Sequence, residues 1–108
     1  MDKETQENIQ KLQLMEQNIQ GMMVQRQQFS TQLIEIESAL RELEHAPQAY
    51  KIVGNIMILT KKEDLTKELS EKKELLDMRI KNLEKQEEQM REKAQNIKET
   101  VMKKLKKD

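Results

Sequence analysis

Of the side chains that carry most protein chemistry, this sequence holds few, and those it holds stand apart from one another. There is no cysteine, so neither a disulfide framework nor a thiolate metal site can form. His45 is the single histidine; it follows the acidic stretch Glu42-Leu43-Glu44 and reads as a solvent residue at a helix end, not as a base or a ligand. Carboxylates are plentiful, but they are interleaved with lysines in the manner of helix surface pairs. Gly21 and Gly54 stand alone, so no glycine-rich loop is available to cradle a phosphate. The residues therefore point to no catalytic constellation, no metal and no cofactor, and the chain is not expected to be an enzyme. Lys103, Lys104, Lys106 and Lys107 form a basic tail that could touch nucleic acid, acidic lipid or an acidic protein surface. With 2% aromatic residues and zero net charge, neither nucleic acid nor a membrane is the expected partner, and cations at a helix C-terminus already complement the helix dipole.

What remains is a pattern of elements. The 108 residues suffice for one domain, 37% of them are charged, and Glu, Lys, Leu, Gln and Met dominate. Such a mixture marks long helices and coiled coils. From about Thr5 to His45 a seam runs Leu12, Met15, Ile19, Met22, Arg26, Phe29, Leu33, Ile36, Leu40, Leu43, with spacings alternating between four and three. A sustained heptad of this kind predicts a coiled-coil helix rather than a generic amphipathic one. Pro47 stops it, having no amide hydrogen and disfavouring a helical Ala46. A second seam, Leu69, Lys73, Leu76, Ile80, Leu83, Glu87, Met90, Ala94, Ile97, Val101, follows a capping-box signal at Thr60-Lys61-Lys62-Glu63, and Leu105 lies one position off its phase.

Between the seams the period breaks. Tyr50-Lys51-Ile52-Val53 and Ile56-Met57-Ile58-Leu59 flank Gly54-Asn55, a two-residue hairpin signal. A lone hairpin is marginal in water, and Ile56 to Leu59 is apolar on both faces. The hairpin is therefore expected to be buried against something the chain does not itself supply. The organisation that follows is one domain over 1–108: a coiled-coil helix over 1–45, a hairpin segment over 46–60 and a second coiled-coil helix over 61–108.

The short connection predicts that the helices pair antiparallel, with Leu40 meeting Leu69, Leu33 meeting Leu76, Phe29 meeting Ile80, Ile19 meeting Met90 and Leu12 meeting Ile97, a shift of one heptad being the rival register. About forty residues would make an arm of roughly 60 Å. In that register Arg26 lies one layer from Glu87, and an ion pair between these two seam intruders would fix the register; Lys73, near Glu37, is a candidate for a second. The other reading is that these side chains snorkel to water. Residues 1–45 carry a net charge of −4 and residues 46–108 a net of +4, which biases the pairing at short range.

The hairpin segment Tyr50-Lys51-Ile52-Val53-Gly54-Asn55-Ile56-Met57-Ile58 resembles the Tyr-Lys-x-x-Gly-x segment of beta-type subunits of the prefoldin family. Arg79-Ile80-Lys81-Asn82-Leu83-Glu84-Lys85-Gln86-Glu87-Glu88 resembles that family's Arg-x-x-x-Leu-x-x-Gln-Glu stretch. The resemblance implies a mainly α fold, a long antiparallel two-helix coiled coil with one β-hairpin between the helices. It implies a hetero-hexamer of two alpha-type and four beta-type subunits, whose hairpins assemble into a β-barrel platform. Tyr50, Ile52, Val53, Gly54, Asn55, Ile56, Met57, Ile58 and Leu59 would form the oligomerisation hairpin. It further implies an ATP-independent holdase that captures unfolded or nascent proteins and delivers them to a group II chaperonin. The client-binding residues would be those of the arm tips, Ile9, Leu12, Met15, Ile19, Ile97, Val101, Met102 and Leu105. With no signal peptide at the N-terminus and no apolar stretch long enough to span a bilayer, the expected location is the cytoplasm. The competing reading, a structural coiled-coil adaptor that dimerises and bridges partners, explains the seams but leaves the hairpin unexplained.

Overall fold

The computed structural model describes residues 1–107. The order of elements is α1 (Lys3–His45), β1 (Ala49–Val53), β2 (Ile56–Thr60) and α2 (Lys62–Lys107).

Asp2 starts α1. Its Oδ1 accepts a hydrogen bond from the Thr5 backbone N–H at 2.8 Å, and its carbonyl accepts from the Gln6 N–H at 3.1 Å. That is the geometry of a side-chain N-cap, which satisfies one of the amides a helix start leaves without a partner. α1 ends at His45, two residues before Pro47. Its last carbonyls are closed from elsewhere in the chain: Lys62 Nζ donates to the carbonyls of Glu44 at 3.1 Å and Ala46 at 3.3 Å. A cation at this place also complements the negative end of the helix dipole.

The hairpin pairs Ala49 with Thr60, Tyr50 with Leu59, Lys51 with Ile58, Ile52 with Met57 and Val53 with Ile56. Gly54 takes φ 60° while no non-glycine residue among the described residues has positive φ, the sign pattern of a type II′ turn. The expected capping box at Thr60 is not formed. Thr60 is spent in the ladder opposite Ala49, and α2 begins later, with the Leu65 N–H donating to the Lys61 carbonyl at 3.1 Å. Lys61 is therefore the cap residue, and Glu63 falls one position short of the box.

Two compact units are present. The first combines residues 1–27 with α2 from Lys81 onward, and the second covers residues 28–80. In the first, Met15, Ile19 and Val101 are buried, along with Thr5 and Glu87. Asp2 meets Lys104, Met23 meets Arg91 and Arg26 meets Glu87, so the two helices run antiparallel there. In the second, Leu43, Ala49 and Leu76 are buried, and Arg79 lies 5.7 Å over the Phe29 ring, within cation–π range. Every residue of both seams is buried or half-buried, Arg26, Lys73 and Glu87 included, whereas off-phase Leu105 is exposed. The first seam also reaches further than its apolar residues indicated, because Thr5 and Asn8 continue its spacing and are withdrawn from water. No side chain among the described residues falls below 2% exposure, as expected where a single seam faces its partner and all outer faces are wet.

Candidate functional site

The hairpin carries a concentrated apolar surface. Seven of its large apolar side chains, Tyr50, Ile52, Val53, Ile56, Met57, Ile58 and Leu59, are between 48% and 69% exposed. Strand alternation and the pairing register divide them between two faces. Tyr50, Ile52, Met57 and Leu59 share one; Val53, Ile56 and Ile58 share the other with Lys51. Only the helix-proximal end is covered, with Ala49 at 5% exposure and Thr60 half-buried. Both strands also keep an unpaired edge, since the sheet has two strands.

Two polar contacts hold the hairpin in place. Lys51 Nζ lies 2.8 Å from Glu68 Oε1 of α2, and the hydrogen bond from Lys51 holds the Glu68 carboxyl below its ordinary pKa. The Tyr50 hydroxyl donates to Gln48 Oε1 at 2.7 Å. Both lie at exposed positions, so they orient the hairpin more than they stabilise it. Covering the exposed halves of seven large apolar side chains would contribute roughly 5–10 kcal/mol gross. Association itself costs about 4–15 kcal/mol, so such a patch sustains assembly when several copies contribute at once.

The proposed gripping residues all belong to the first unit. Met15, Ile19 and Val101 are buried at 7–8% exposure, Ile9, Leu12 and Ile97 are half-buried, and Met102 and Leu105 are exposed at 51% and 42%. Reasoning from the seam passed over Leu14, 61% exposed on α1. Its signal was present: a large apolar residue outside the heptad phase has no partner in the coil. Ile34, Leu75 and Met78 in the second unit are exposed for the same reason.

The Arg26–Glu87 pair is formed, with Nε 2.9 Å from Oε1. The hydrogen bond that Arg26 donates to Glu87 raises the Arg26 pKa above its ordinary value. No ion pair joins Lys73 to Glu37 among the described residues. Asp2 has its pKa lowered from 3.8 to about 2, first by hydrogen bonds from the Thr5 side chain and backbone, then by Lys104, whose Nζ lies 3.1 Å from Oδ2. Among the described residues no group of His, Cys, Asp or Glu is placed to hold a metal ion, and no helix is long and apolar enough to cross a membrane.

Two helices joined by one two-stranded hairpin that stays apolar on both faces define the class, and comparison with known proteins agrees. The model of the prefoldin subunit family matches residues 6–108. The prefoldin subunit beta of Archaeoglobus fulgidus is 46% identical over 84 residues, which is 75% of this chain and 72% of the relative. That of Pyrobaculum islandicum is 39% identical over 90 residues, 81% of this chain and 72% of the relative. The crystal structure of the prefoldin beta subunit from Thermococcus strain KS-1 superposes with a TM-score of 0.88 at 31% identity, covering 96% of this chain and 94% of that one. The chain belongs to the prefoldin subunit family. It is a component of a prefoldin-type chaperone and not an enzyme.

Proposed function

We propose that this chain is a beta-type subunit of a hetero-hexamer, two alpha-type and four beta-type, that holds unfolded or nascent proteins and passes them to a group II chaperonin without nucleotide. The proposed setting is the cytoplasm, where newly made chains occur. The observation that carries the reading is the hairpin: seven large apolar side chains exposed on two faces, with open edges on both strands. A β-barrel built from several such hairpins would pair the edges and cover one face, and a second surface laid on the outside of the barrel would cover the other.

Clients would be gripped at the arm tips by Ile9, Leu12, Met15, Ile19, Ile97, Val101, Met102 and Leu105. Met102 and Leu105 are available as they stand. Met15, Ile19 and Val101 would become available where the helix ends part. Burying one such side chain contributes about 1.5–3 kcal/mol, so one arm holds weakly and several arms on one client gain by effective concentration. Methionine suits the task, being flexible and polarisable.

The test is co-expression with an alpha-type prefoldin subunit, followed by native mass and suppression of aggregation of a denatured protein. A hexamer of mixed subunits that keeps the denatured protein in solution is the expected result. A two-chain assembly with no effect on aggregation would instead establish the adaptor reading.

A further inference from the structure

We infer that the C-terminal end of α2 makes the grip selective, favouring unfolded segments that combine apolar with acidic side chains. The inference rests on the holdase reading above. Between residues 95 and 108 stand five lysines against two acids, Glu99 and Asp108. Lys104 is engaged by Asp2 at 3.1 Å, and Glu99 accepts a hydrogen bond from Gln95 at 3.3 Å. Lys98, Lys103, Lys106 and Lys107 are exposed. They surround the two gripping residues that already face water, Met102 and Leu105. A shallow groove of about 220 Å³ has Met102 as its apolar lining, with Lys98, Lys103 and Lys106 beside it against one acid, the Gln95-bonded Glu99.

The occupant this groove fits is set by both chemistries. Lysine stems extend the apolar surface while their ammonium heads remain in water at its margin. An apolar side chain seated on Met102 therefore brings its sequence neighbours among the ammonium groups, where carboxylates are attracted and cations repelled. An all-apolar segment meets the lysine stems but gains nothing from their charge. The field of several like charges also speeds encounter with an acidic segment.

The experiment uses the assembled complex without chaperonin and three unfolded fluorescent peptides of one length and one apolar content, flanked by Glu, Lys or Ser. With exposed pairs each adding roughly twofold, the Glu peptide should bind at least about fivefold more tightly than the Lys peptide near 50 mM salt. The ratio should approach one near 0.5 M salt, where the screening length falls to about 4 Å. Changing Lys98, Lys103, Lys106 and Lys107 together to Gln should abolish the ratio between the Glu and Lys peptides. Equal binding of all three peptides overturns the inference and leaves the holdase reading standing, as does a ratio that survives the substitutions. Failure of all three peptides to bind overturns both.

Discussion

A carboxylate in a heptad seam is a cost unless something answers it, and Arg26 answers Glu87 at 2.9 Å. The side chain of Glu87 is 9% exposed and that of Arg26 is 32% exposed, so the acid depends on the pair more than the cation does. Arg26→Met should therefore lower the melting temperature by several degrees, because it leaves a buried charge alone. Adding Glu87→Leu should recover most or all of that loss. A thermal double-mutant cycle measures it, and additive effects would mean that the pair does not act as a unit. The second residue-scale prediction concerns Asp2, which caps α1 and holds Lys104 with the same carboxylate. Its pKa in the fold, about 2, lies below the ordinary 3.8. The stability these bonds confer is thus complete above about pH 4 and is lost as pH falls towards 2. A carboxyl titration followed by NMR should place the Asp2 midpoint near 2. The side-chain bond from Thr5 is the largest cause of the shift. Thr5→Val should therefore move the midpoint upward; a midpoint that stays in place would assign the shift to the Thr5 backbone bond and Lys104.

At the scale of the elements, the exposure of each side chain decides what its loss costs. Leu76 is 5% exposed and Ile34 65%. Leu76→Ala should cost about 2–3 kcal/mol, near the low end for buried leucines because a one-seam core collapses readily. Ile34→Ala should stay within about 0.5 kcal/mol. The two glycines should respond with opposite signs. Gly21 sits inside α1 with nothing within 4 Å of an added Cβ, so Gly21→Ala should stabilise by about 1 kcal/mol. Gly54 has equally open space but a φ of +60°, so Gly54→Ala should cost about 1–2 kcal/mol. Chemical denaturation of the four variants checks the set. The same contrast explains what could be read from the sequence. Both seams were legible because heptad spacing is a local regularity, and every seam position is withdrawn from water, charged residues included. The hairpin was legible because Gly-Asn between two apolar runs has few other uses. Element boundaries were less so. Thr60-Lys61-Lys62-Glu63 satisfies a capping-box spacing, but Thr60 pairs with Ala49 instead, and strand pairing outcompeted the local motif. The closure of α1 by Lys62 joins carbonyls to a side chain sixteen and eighteen residues away, and no local spacing announces such a bond. The tip residues were legible only as seam members. Which of them face water depends on the pairing, and that puts Met102 outside and Val101 inside although they are neighbours.

For the whole molecule, the question is whether the hairpin needs one neighbouring surface or two. Docking of one face onto a partner would leave the other wet, whereas a barrel of hairpins whose other side is also covered would bury both. Met57 on one face and Ile56 on the other are 65% and 64% exposed. A lysine at either position thus removes almost no contact within the chain and places a charge where assembly would bury it. Leaving a charge unpaired in an interface costs several kcal/mol, or a loss in association of roughly a hundredfold or more. Met57→Lys and Ile56→Lys should each leave helix content and thermal unfolding of the isolated chain near those of the parent. Each should also shift the native mass of the co-expressed complex towards free subunits. If only one variant dissociates the complex, the hairpin docks by one face and the two-sided enclosure is wrong. If neither does, the exposed apolar hairpin is not what holds the subunits together, and the assembly must be sought in the helices.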